Sequence, residues 1–246
     1  MNAQPPSLAL CAFRDADARD RVAWASAAGF RAVQLDATHP QTRPRDLDRS
    51  ARRDVAALLR RHEVACSGVD LWIPPEHFAT REHIDRATAA VIDAISFARE
   101  LAGLVRATPA ACVALPTEPD ADAMAAIRAA AERHDVRVAD HAWPAPEAGD
   151  VGLDPAMAIL AGADPVAVVA SLGPRLAHAR LSDAGTLGRA PLGSAGGRLD
   201  VDAYAAALAV SAPDAPLVLD TRMLVDPAEA ALSGLAAWRA SPATAG

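Results

Sequence analysis

Residues 151–183, VGLDPAMAILAGADPVAVVASLGPRLAHARLSD, decide the fold. The ends read as strands, Val151 to Asp154 and Leu176 to Asp183, and the middle as a helix carrying Val166, Val169 and Leu172. In the second strand the two-residue period puts His178, Arg180 and Ser182 on one face, and Ala177, Ala179 and Leu181 on the other. Both strands run into polar groups, Asp154 on the first and Asp183 on the second. A strand–helix–strand unit with charge at its C-terminal strand ends is how a parallel α/β protein presents a site.

The same alternation extends outward in both directions. Short apolar runs at Leu8–Phe13, Arg31–Asp36, Val64–Ile73, Val136–Ala142 and Pro216–Thr221 read as buried parallel strands. Strand four falls on Leu104–Ala107 or on Ala111–Leu115, and the closing Pro116 favours the second. Helices are expected after Asp15 or Asp17 (with Val22, Ala23 and Trp24 inward) and over Ala51–His62, Glu82–Leu101, Ala121–His134, Asp202–Val210 and Pro227–Trp238. Only Trp143–Asp150, with Pro144 and Pro146, separates strands five and six, too little for a crossover helix. The uncovered wall is expected to favour a homodimer. Gly185–Gly197 reads as a Gly-rich loop.

With 246 residues, 52% of them apolar, the chain can bury one large core, so a single domain over 1–246 is expected, with flexible ends at 1–6 and 241–246. A net charge of −7 argues against nucleic acid as a partner. Cys11, Cys66 and Cys112 have no disulfide or zinc spacing, which points to the cytoplasm, and no apolar run suggests a membrane span. The chain has no lysine, which excludes Schiff-base chemistry and a P-loop lysine.

Five blocks carry a family resemblance. They are Asp154-Pro155-Ala156-Met157, Ala161-Gly162-Ala163-Asp164-Pro165, His178-Ala179-Arg180-Leu181-Ser182-Asp183, Pro191-Leu192-Gly193 through Asp200, and Leu217-Val218-Leu219-Asp220. Their order resembles the D-T-G-H, A-G-x-D-P, H-x-H-L-K-D, P-L-G-x-G-x-x-D and L-V-L-E blocks of the xylose isomerase-like TIM barrels, a family of sugar isomerases and epimerases. The resemblance implies an α/β fold, a single (β/α)8 TIM barrel, here lacking a full fifth helix. It also implies a divalent metal at the barrel mouth, and carries its ligands onto Ala139, Asp154, Arg180 and Asp220, with the histidine of D-T-G-H falling on Met157. Two of the four ligands are lost and a guanidinium replaces one. The expectation is a divergent member with a degraded metal site, no metal and no cofactor.

The leading reading is a sugar phosphate isomerase or epimerase-like enzyme working by acid–base chemistry on a small polyhydroxylated or carboxylated substrate. Asp154, His178, Arg180, Asp220 and His141 are its candidate catalytic residues. Asp36, His39, Asp70, Trp72, Asp183, Arg198 and Arg222 are candidates for substrate contact. The alternative is a non-catalytic barrel that binds a sugar-like ligand or a partner protein. The arginines between Arg43 and Arg61 interleave with Asp46, Asp48 and Asp54 and read as a solvated helix face.

Overall fold

The computed structural model describes residues 4–242. Parallel strands close into a barrel in the order β1 (Ser7–Ala9), β2 (Ala32–Asp36), β3 (Ala65–Asp70), β4 (Ala110–Val113), β5 (Arg137–Asp140), β6 (Val151–Leu153), β7 (Leu176–Leu181) and the last strand, Leu217–Leu219, which pairs back with β1. Helices α1 (Ala18–Ala27), α2 (Arg49–Arg61), α3 (Ile84–Leu104), α4 (Ala121–His134), α5 (Pro155–Leu160), α6 (Pro165–Leu172), α7 (Val201–Ser211) and α8 (Pro227–Ala240) cover the outside. This is the (β/α)8 TIM barrel, with its C-terminal strand ends gathered at one mouth.

Aspartate starts these helices. Among the described residues, every α-helix except α3 follows an aspartate whose carboxylate accepts a backbone N–H of the first turn. That satisfies donors the helix cannot pair itself. Much of the acidic composition is therefore structural.

Several expectations change in detail. Leu8–Phe13 is strand only over β1, because Leu10–Ala12 turn into a 3-10 helix. On α1 the buried residues are Ala18, Arg21, Val22 and Ala25, while Ala23 and Trp24 are half-buried. Three consecutive helical residues cannot all face one way. The 151–183 unit holds two helices, since Asp154 caps α5 before Asp164 caps α6. The Gly-rich loop contains an antiparallel hairpin, β8 (Asp183–Gly185) with β9 (Gly188–Ala190); the last barrel strand is thus β10.

Trp143–Asp150 forms no helix, as its length requires. A groove of about 1090 Å³ opens there, lined by Met124, Ile127, Val138, Ala142 and Ala145 among others. At the chain ends, Ser241 is buried and hydrogen-bonds Asp202, while 1–3 and 243–246 lie outside the described residues.

Asp183 organises the segment between β7 and α7. Its Oδ1 accepts the amides of Ala184 (2.7 Å), Arg198 (2.9 Å) and Leu199 (2.9 Å), and a Cβ at Gly197 would collide with its other oxygen. Asp183→Ala leaves these donors without an acceptor and is expected to lower unfolding free energy by about 2 kcal/mol in urea titrations.

Candidate functional site

Arg180 points from β7 into the barrel mouth and meets three carboxylates. Its Nη2 lies 3.1 Å from Asp70 Oδ1 at the end of β3, its Nη1 3.5 Å from Asp154 Oδ2 after β6, and its Nε 3.3 Å from Asp220 Oδ2 after β10. Two further guanidiniums close over them. Arg189 of β9 reaches Asp154 Oδ2 at 2.8 Å and Asp220 Oδ2 at 3.7 Å. Arg222 reaches Asp70 Oδ2 at 2.8 Å and Asp220 Oδ2 at 2.6 Å. Three cations and three anions balance in a buried centre, which is how buried charge is tolerated.

The electrostatics follow. Burial alone would raise all three carboxyls, but the guanidiniums more than offset it. Arg189 and Arg180 hold Asp154 far below the usual carboxylate range, Arg222 and Arg180 lower Asp70, and Arg222, Arg180 and Arg189 lower Asp220. Asp154 Oδ1 also accepts from Ser182 Oγ (2.6 Å) and from Ala156 N (3.2 Å). Tyr204 of α7 donates to the Arg180 carbonyl at 3.0 Å, which fixes the strand behind the guanidinium.

Around Asp220 Oδ2 the pairing is incomplete. Arg180 Nε, Arg189 Nη2 and Arg222 Nε all attract this oxygen, yet none aligns an N–H on an acceptor, and the oxygen itself accepts no hydrogen bond. Charge is neutralised there, while directional donors stay unspent.

Below this layer sit His178 and His141. His178 is fully buried, with Nε2 2.8 Å from Gln34 Nε2, and burial together with the Arg180 charge pushes it down to about 3. His141, from the end of β5, meets it edge-on at 5.2 Å; burial and Arg180 lower it too. A Cβ at Gly152 would collide with the His141 ring, so β6 carries glycine where that ring crosses it. Asp140 points away, accepting the Leu115 and Ala142 amides.

Arg180, Asp154 and Asp220 thus come together, joined by Asp70 and Arg222, with His178 and His141 beneath. Asp36 stands apart: Oδ1 accepts from the Thr38 amide and hydroxyl, and Oδ2 faces Arg21 at 3.8 Å. His39 is on the adjoining turn, where burial lowers its pKa. Trp72 is half exposed, with the Arg14 guanidinium 4.2 Å over its ring. It borders a cavity of about 320 Å³ beside the β2 and β3 ends, with Arg43, Arg45, His77 and Arg86. Asp183 faces backbone amides, and Arg198 is exposed. Sequence reasoning missed Arg189, Cys112 and Gln34. The signal for Arg189 was an arginine two residues before the P-L-G block, in the segment that follows β7.

The metal that the resemblance implies does not fit. Ala139 offers no donor, and Arg180 fills the place with its own positive charge against both retained carboxylates.

No family model and no curated protein matches the chain. Solved structures do. A D-psicose 3-epimerase with D-tagatose from Clostridium cellulolyticum H10 is 14% identical, with 96% of this chain and 98% of that one covered at a TM-score of 0.71. A 3-keto-D-glucoside 4-epimerase from E. coli is 13% identical, with 96% and 99% covered at 0.71. A probable 3-DHS dehydratase from Bacillus anthracis is 14% identical, with 95% and 98% covered at 0.68. The chain shares the (β/α)8 TIM-barrel fold of these proteins.

The charged centre makes two predictions. Arg180→Met leaves three buried carboxylates facing two guanidiniums and is expected to destabilise the fold by about 3–5 kcal/mol in denaturant titrations. The three aspartates have depressed folded pKa values, so their stabilisation is complete above their unfolded values and is lost as pH falls through the lower folded ones. Thermal melts should therefore show Tm dropping steeply below about pH 4, and a flat profile there would contradict the network.

Proposed function

We propose that the chain is a sugar isomerase or epimerase-like enzyme acting by acid–base chemistry on a small polyhydroxylated substrate that carries a carboxylate or phosphate. The observation that supports this most is the set of unaligned donors around Asp220 Oδ2. Arg189 Nη2, Arg180 Nε and Arg222 Nε face a shared oxygen without a directed hydrogen bond. A substrate oxyanion offers the in-plane acceptors that a guanidinium fork prefers.

The chemistry follows from exchange of partners. An anionic group that takes Arg222 and Arg189 withdraws their charge from Asp220, whose proton affinity then rises. The freed carboxylate removes the proton from the hydroxyl-bearing carbon beside the substrate carbonyl; the C–H electron pair forms the C=C bond of an enediolate and the carbonyl π pair moves onto oxygen. Arg180, always cationic, stabilises that oxyanion. The neighbouring hydroxyl proton then passes to that oxyanion and the Asp220 carboxylic acid returns its proton to the former carbonyl carbon, which completes isomerisation; a proton delivered from solvent to the opposite face of the original carbon, with the Asp220 proton lost to solvent, instead completes epimerisation. The half-exposed Trp72 offers a face for a sugar ring at the cavity beside β2 and β3. His178 and His141 lie beneath the ionic layer, with pKa values lowered by burial and by Arg180.

One observation favours a second reading, a non-catalytic barrel that binds a sugar-like ligand or partner. All six charges are already paired and nearly buried. Titration with sugar phosphates and sugar acids, read by calorimetry and by deuterium uptake from heavy water, separates the two. Saturable binding with deuterium uptake, abolished by Asp220→Asn and with affinity lowered about tenfold by Arg222→Lys, supports the enzyme. Binding without uptake supports the second reading. A panel that neither binds nor exchanges overturns both.

The protein is further proposed to work in the cytoplasm, where its buried free cysteines stay reduced, and as a homodimer through the groove beside 143–150. Light scattering is expected to give twice the chain mass, and Met124→Arg to return the monomer.

A further inference from the structure

Beneath the ionic centre, Cys112 of β4, His141 of β5 and His178 of β7 converge, each buried, with one donor atom apiece inside 4.8 Å of the others. None of the ion pairs above involves them. Their hydrogen bonding is markedly deficient. His141 Nδ1 and Nε2 and His178 Nδ1 are buried without a partner, and so is Gln34 Oε1 beside them. Gln34 Nε2 sits 3.3 Å from Cys112 Sγ and 2.8 Å from His178 Nε2. Buried polar atoms are nearly always paired, so these four unpartnered atoms leave ligating capacity beside Cys112 and His178.

We propose that Cys112, His141 and His178 form a binding site for one thiophilic transition-metal ion, Zn²⁺ or Cu⁺. A thiolate and two imidazoles are the donor set such ions prefer, whereas magnesium and calcium take oxygen. Bonds of about 2.0–2.3 Å would draw the three donors to about 3.5 Å apart, a shift of under about 1 Å for each. Gln34 completes the surroundings. As placed, its amide donates toward the sulfur, and turned over it offers the unpartnered Oε1 as a fourth, oxygen donor.

His141 alone of the three keeps measurable exposure, 8%, and lies on the mouth side. Gly152 leaves the strand face bare where the His141 ring crosses it. Charge is also met. The arginine–aspartate centre above sums to zero, and loss of the Cys112 proton supplies the one negative charge that cancels Cu⁺ or halves Zn²⁺. This place differs from the mouth position to which the resemblance assigns a metal, since it shares none of Ala139, Asp154, Arg180 or Asp220.

Chelator-treated full-length protein is titrated with Co²⁺, the coloured stand-in for Zn²⁺, and with Cu⁺ in a separate anaerobic arm. One equivalent of Co²⁺ is expected to give an intense thiolate-to-metal absorption band and a rise in Tm. Both should vanish in Cys112→Ser, and His141→Gln should weaken binding at least tenfold, while Cys11→Ser and Cys66→Ser keep the band. Saturable binding of Cu⁺ alone, lost in the same variants, assigns the site to the monovalent ion. Should Cys112→Ser fail to fold, X-ray absorption of the loaded wild type decides, with a sulfur neighbour at about 2.3 Å expected. No saturable binding of either ion, a bound ion without a sulfur neighbour, or a band that survives in folded Cys112→Ser overturns the proposal.

Discussion

A buried guanidinium must bring its counter-ions with it, and Arg180 brings them from three different strands. Asp70, Asp154 and Asp220 close on it from the ends of β3, β6 and β10. Partners this far apart in sequence meet only in the closed barrel, so the ion cluster and the closure stabilise each other. The surplus negative charge then requires Arg189 and Arg222. Removing any one member strands another in low dielectric, which makes the cluster act as a unit.

That unit explains why the mouth is so tightly built. Tyr204 fixes the Arg180 carbonyl from outside the barrel, Ser182 fixes Asp154, and Asp183 holds the following loop by three amides. Asp154 serves twice, as N-cap of α5 and as counter-ion. The centre is held by these bonds toward the barrel and is incompletely hydrogen-bonded around Asp220 Oδ2, toward Arg222 and Arg189.

The barrel was legible because parallel strands buried on both faces read as short apolar runs between periodic helices, and α4 appears with the bounds its pattern implies. Arg180, Asp154 and Asp220 were legible as a group because adjacent strands present their ends side by side. Asp70 stood out as polar at a strand end, but its pairing with Arg180 joins residues 110 positions apart, which no local pattern records. Arg189 was hidden because glycine-rich sequence reads as loop, and the hairpin that aims it depends on backbone pairing. Cys112 was hidden for the opposite reason: in an apolar strand a cysteine looks like any small hydrophobe. The extra helix α5 escaped because its cap, Asp154, also ends a strand.

The missing crossover between β5 and β6 has a mechanical meaning. Those strands share a single register pair, Asp140 with Val151, where β2 and β3 share five. No helix from their own connection lies over that junction. A closed cylinder with one lightly stitched seam opens there first, so amide hydrogen exchange should run fastest along β6, and the His141 side of the interior should meet solvent before the rest of the barrel gives way.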